Sequence, residues 1–208
     1  MSFGTMLTVT FVLFVVICLI QVFSASIIET FSQLKPQWHL AGTHKSNTAT
    51  KRQEKEDVPP VDMDFQPVVI EVGADKIKSP AVGTLMPQEQ IPDAVFASGV
   101  LGAGFGVTPS RGIIVAPIDG TISIIAESKQ TIGISTDSGL ELLIHVGIDT
   151  VLMDGNGFTP AVAEGDTVKA GDLLLNFDIN KIHKAGYADT VVLILTNADE
   201  YNDVKVNI

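Results

Sequence analysis

Thr131-Ile-Gly-Ile-Ser-Thr-Asp137-Ser138-Gly139-Leu-Glu-Leu-Leu-Ile-His145-Val-Gly147 is two apolar runs separated by a turn signal. In the second run Leu142, Ile144 and Val146 fall on one face of a strand. Glu141, Leu143 and His145 fall on the other. Two such runs around Thr136-Asp137-Ser138-Gly139 predict an antiparallel hairpin. A two-residue turn centred on Asp137–Ser138 pairs Thr136 with Gly139 and, stepping outward, Gln130 with His145. Their Cβ atoms would then lie ~4.5–5.5 Å apart.

The same punctuation extends on both sides of the hairpin. Runs rich in Val and Ile occupy 68–72, 112–115, 121–125, 173–177 and 191–195, separated by Gly, Pro, Asp and Ser. This predicts an all-β domain over 68–208, a closed β-barrel/sandwich of short antiparallel strands with tight Gly/Asp turns. Helical signal is weak and confined to a short helix or turn at 179–185. Pro80-Ala-Val-Gly83-Thr-Leu85 is echoed by Pro117-Ile-Asp119-Gly120-Thr-Ile122, each a tight turn feeding a strand. The echo resembles lipoyl- and biotinyl-type units, but the carrier lysine flanked by methionines is missing. Gly102-Ala-Gly104-Phe-Gly106 lacks a following helix and complete phosphate-binding spacing, so it reads as a turned loop.

The N-terminal part is a different material. Met6–Ile28 carries no charged side chain and as a helix would extend ~34 Å, enough to span a ~30 Å hydrocarbon core. No basic n-region precedes it, which argues against a cleaved signal peptide. The nearby basic residues follow the apolar stretch, so a single-pass helix within 1–34 would leave the C-terminal domain in the cytoplasm. Residues 35–67, broken by Pro36, Pro59, Pro60 and Pro67, read as a flexible linker. His39 and His44 lie in it and read as solvated.

Composition excludes several classes. With 13 Lys+Arg against 24 Asp+Glu, the net charge is −11, opposite to what a duplex nucleic-acid binder needs. The single cysteine, Cys18, rules out an intrachain disulfide framework and a Cys-cluster zinc site. A zinc peptidase needs several converging histidines, and the C-terminal domain has only His145 and His183.

His145 has the properties of a nucleophile. A rigid strand backs the ring, Gly147 leaves space beside it, and an imidazole of pKa ~6.5 keeps a neutral nitrogen at cytoplasmic pH. Asp149 stands where it can orient the ring or repel an anion.

Gly139-Leu-Glu-Leu-Leu-Ile-His145-Val-Gly147-Ile-Asp149-Thr-Val151 resembles the phosphorylation-site signature of the glucose/β-glucoside-type IIA domain of the bacterial sugar phosphotransferase system. Ile91-Pro-Asp93-Ala-Val-Phe96-Ala97, Val115-Ala-Pro117-Ile-Asp119-Gly120, Gly157-Phe-Thr-Pro160 and Thr196-Asn-Ala-Asp199 extend the resemblance from about Ser79 to the C-terminus. It implies a phosphoryl relay without a cofactor or metal. The phosphocarrier HPr would phosphorylate His145, which would pass the group to a cysteine on a IIB domain. Asp93 and Asp149 match aspartates flanking the site, Phe96 part of an apolar docking rim, and Gly147 belongs to the same partner-facing region. The family's second active-site histidine falls at Gln130, which can donate a hydrogen bond but cannot change charge. A zinc contact through two histidines is thereby lost. Residues 1–35 resemble the last span of a membrane IIC domain, in which sugar specificity would reside. The alternative is a membrane-tethered regulatory module whose transfer Gln130 has weakened.

Overall fold

The computed structural model describes residues 67–208. The membrane-helix and linker readings for 1–66 lie outside the described residues. Among the described residues no helix is long and apolar enough to cross a membrane.

The domain is all-β and sandwich-like, with thirteen short strands. Seven form the main antiparallel sheet. In spatial order they are β10 (Thr167–Val168), β6 (Gly120–Ile125), β7 (Thr131–Ser135), β8 (Glu141–Val146), β12 (Val191–Leu195), β4 (Ala103–Pro109) and β3 (Gly83–Pro87). A second sheet joins β5 (Ile113–Val115), β11 (Leu173–Phe177) and β9 (Phe158–Pro160). A third joins β13 (Lys205–Val206), β1 (Val68–Val72) and β2 (Asp75–Lys78). The expected closure into a barrel does not occur. The main sheet ends at β10 and β3, which do not pair with each other, and its apolar face is instead covered by the other strands.

The period-2 pattern explains the core. Along β8, Leu142, Ile144 and Val146 are buried, and they join Phe105, Ile132, Ile134, Leu193 and Leu195 in the main cluster. Burying each such side chain contributes ~1.5–3 kcal/mol. Strand β12 is buried on both faces: Val192 and Ile194 turn away from that core into a smaller cluster with Ile91 and Ile148. Met86, Phe96, Leu101 and Leu143 pack against this second cluster. Leu143 and His145 share a face of β8, so the second cluster builds the apolar ground beside the histidine.

Two local readings change. The glycine-rich stretch is strand β4, paired with both β12 and β3. Its glycines serve close approach: a Cβ on Gly104 would sit 2.1 Å from the Leu193 carbonyl oxygen. The hairpin turn also has one residue more than expected. Thr136 N donates to the Leu140 carbonyl at 3.0 Å, and Gly139 takes φ +90°, a backbone conformation that glycine tolerates best. The register therefore pairs Ser135 with Glu141 and Thr131, not Gln130, with His145.

Candidate active site around His145

His145 lies near the end of β8, held between Thr131 on β7 and Val192 on β12. Its Nδ1 is 2.8 Å from Thr131 Oγ1. Phe96 lies against the ring, with centroids 5.2 Å apart and planes at 46°. Phe96 comes from a short helix, α1 (Ala94–Ala97), capped by Asp93. The carboxylate Oδ1 of Asp93 accepts from Val95 N at 2.8 Å and Phe96 N at 2.9 Å. The sequence reading assigned no helix here, although an Asp before a short apolar run is an N-cap signal.

Burial pushes the His145 pKa down to about 4. The negative charge of Asp93, the Gly147 backbone and the charge of Asp149 oppose that shift without overcoming it. Desolvation wins because the ring stands on the second apolar cluster, and a charged imidazolium there is costly. The imidazole is consequently neutral across physiological pH.

After β8 the chain turns sharply. Gly147 has φ +79°, and its N–H donates to Thr190 O at 2.9 Å. A Cβ there would lie 2.3 Å from Thr150 Cγ2 and 3.0 Å from the Ala188 carbonyl oxygen. The glycine thus answers a need within this chain. Thr150 locks the turn, its hydroxyl donating to Val146 O at 2.6 Å. Exposed Asp149 adopts φ +59° and acts on His145 through charge, making no side-chain cap.

Gln130 is buried one position from the expected pairing, and its carbonyl accepts from Val146 N at 2.8 Å. Its Oε1 is the one buried side-chain polar atom without a hydrogen-bond partner among the described residues. His183 lies on the second helix, α2 (Ile179–Lys184), with Nε2 3.1 Å from Asp189 Oδ2. Thr131 was missed because a two-residue turn was assumed. Gly139, the third residue of Asp137-Ser138-Gly139, was the available signal for the longer turn.

The structure thus gathers a neutral strand histidine, a neighbouring aromatic ring and two carboxylates acting on the imidazole. Residues 75–201 match the family described as phosphoenolpyruvate-dependent sugar phosphotransferase system, EIIA 1. The chain belongs to this family. The β-glucoside-specific EIIBCA component of Bacillus subtilis is 42% identical over 147 residues, covering 71% of this chain and 24% of that protein. The glucose-specific EIIA component of Staphylococcus epidermidis is 39% identical over 131 residues, covering 63% of this chain and 79% of that protein. The solved glucose permease IIA from Mycoplasma capricolum aligns with TM-score 0.56 at 29% identity, covering 68% of this chain and 94% of that one. The chain spans about a quarter of the length of the β-glucoside-specific relatives. Residues 75–201 are an EIIA domain of that family, and the fold of the solved relative is the sandwich-like one found here.

Proposed function

We propose that this EIIA domain carries a phosphoryl group on His145, taking it from HPr and passing it to a cysteine of a IIB domain during sugar uptake. The observation that carries this reading is a neutral imidazole lying against Phe96 at the edge of an apolar cluster. A neutral ring offers a lone pair to phosphorus. Phe96 and exposed Val95 and Val100 give a docking partner apolar surface from which water can be excluded. Asp93 and Asp149 stabilise positive charge on the ring as the nitrogen–phosphorus bond forms. The fusion of relatives to IIB and IIC parts, as their EIIBCA names state, supports IIB and IIC as partners. Residues 1–34 would then tether the domain to the cell membrane, with 35–67 as linker and 68–208 in the cytoplasm.

A second reading is a regulatory module that accepts the group but transfers it poorly. It is favoured by Gln130, a residue that cannot titrate in the position of the family's second histidine.

Incubation with phosphorylated HPr followed by mass spectrometry at alkaline pH tests the carrier role. Label is expected on His145 alone. Label persisting in a His145→Ala protein excludes the assignment, and discharge to a IIB domain separates the two readings.

A further inference from the structure

Thr131 stands directly across the β7–β8 pairing from His145, so both side chains project from the same face of the main sheet. The Thr131 hydroxyl lies 2.8 Å from Nδ1, within hydrogen-bond distance. Its position is well determined. The β-branched side chain has a stiff χ1, and the Thr131 carbonyl accepts from Ala126 N at 3.0 Å. Nδ1 is therefore occupied from within the domain, and Nε2 is the ring nitrogen left to meet phosphorus.

A hydroxyl can donate or accept, so the distance alone fits either tautomer. The reaction separates them. An attacking nitrogen must bear a lone pair, and with Nδ1 engaged by Thr131 that nitrogen is Nε2, so the single proton of the neutral ring belongs on Nδ1. An accepting Thr131 Oγ1 fits that arrangement. A donating hydroxyl would hold the lone pair on Nδ1 and place the proton on the nitrogen that has to react.

We propose that Thr131 is a positioning residue: its Oγ1 accepts from Nδ1–H of His145 and holds the tautomer whose lone pair is on Nε2. This rests on the phosphoryl-carrier reading. During transfer the Nε2 lone pair forms the new nitrogen–phosphorus bond as the donor's phosphorus bond breaks, and the donor nitrogen keeps that electron pair. No proton has to leave His145. The positive charge that develops on the ring is met at Nδ1–H by the Thr131 oxygen.

The test is nitrogen-15 NMR of the imidazole in the unphosphorylated protein at neutral pH, with single-turnover acceptance from phosphorylated HPr. Wild type is expected to show the Nδ1–H tautomer. Thr131→Val, which keeps the β-branched shape, is expected to shift the ring signals toward the other tautomer and slow acceptance about tenfold. Thr131→Ser is expected to restore both. An Nε2–H tautomer in wild type overturns the proposal, as do unchanged ring signals in a folded Thr131→Val protein. If that variant does not fold, the wild-type and Thr131→Ser spectra still decide. Wild type that holds the Nδ1–H tautomer but takes no phosphoryl group refutes the carrier reading instead.

Discussion

Asp93 fixes Phe96 through its backbone, with Asp93 Oδ1 accepting the Phe96 N–H at 2.9 Å, and Phe96 in turn covers His145. The same carboxylate has two jobs, capping α1 and placing negative charge near the imidazole. The two are separable by substitution. Asp93→Asn keeps a good cap and removes the charge, whereas Asp93→Ala removes both, and a lost cap costs ~0.5–2 kcal/mol. Asp93→Asn is expected to melt near wild type while lowering the His145 pKa further. Asp93→Ala is expected to melt lower and to accept phosphate more slowly as Phe96 loosens. Thermal melting and an NMR titration of His145 check this, and equal melting of all three proteins would remove the capping argument.

The pH dependence follows from the same ring. His145 has its pKa lowered to about 4, against about 6.5 in an unfolded chain. Between those values the unfolded chain holds the extra proton and the folded one does not, so folding stability from this group falls as pH drops through that window. It is fully present above about 6.5 and lost below about 4. Phosphoryl acceptance, which needs the neutral ring, is expected to stay flat from pH 8 to about 5 and to reach half near pH 4. Stopped-flow rates at fixed donor phosphorylation measure it. A half-point near 6.5 would show that burial does not control this histidine.

Gly147 is a test of backbone geometry beside the site. Alanine there meets Thr150 Cγ2 at 2.3 Å and the Ala188 carbonyl oxygen at 3.0 Å, in addition to the strain of φ +79°. Left-handed backbone at a non-glycine residue alone costs ~1–3 kcal/mol, and the clash adds to it. Gly147→Ala is expected to lower the urea midpoint and to impair acceptance together. Gly165→Ala has φ +85° but nothing within 4 Å of the added Cβ, so it is expected to destabilise less. Equal midpoints for the two variants would mean that the close approach to Thr150 carries no cost.

Much of this was legible in the residues because period-2 alternation and turn chemistry are local signals. The faces of β8 and the apolar run of β12 were read from pattern alone, and helix α2 fell within the expected 179–185. Register was not legible: one extra residue in the 136–140 turn moved the partner of His145 from Gln130 to Thr131. Strand β4 was hidden because glycine is a poor strand former by propensity. Only the tertiary approach of Leu193 and Met86 explains its glycines. Short strands such as β10 and β13 have too few residues for a pattern. Asp93 and Phe96 were found through the family resemblance and Asp149 from its spacing after Gly147, and their convergence on one imidazole required the fold.

Gln130 poses the question of whether the domain discharges what it accepts. Acceptance needs a neutral Nε2 and donors for phosphoryl oxygens, and the NH2 of a carboxamide can donate. Discharge to a thiolate also needs charge stabilised as the group leaves, which a histidine can provide as a cation and Gln130 cannot. A hydrogen bond to a charged group contributes ~1.5–3 kcal/mol, against ~0.5–1.5 for a neutral one. Since ~1.4 kcal/mol is tenfold in rate, donation is expected to lag by about tenfold or more. Gln130→His is therefore expected to raise donation to a IIB domain about tenfold while changing acceptance from HPr by less than about threefold. Single-turnover rates in both directions, on both proteins, measure the two effects separately. Equal donation rates would show that a neutral carboxamide suffices, and would leave the regulatory reading without its main support.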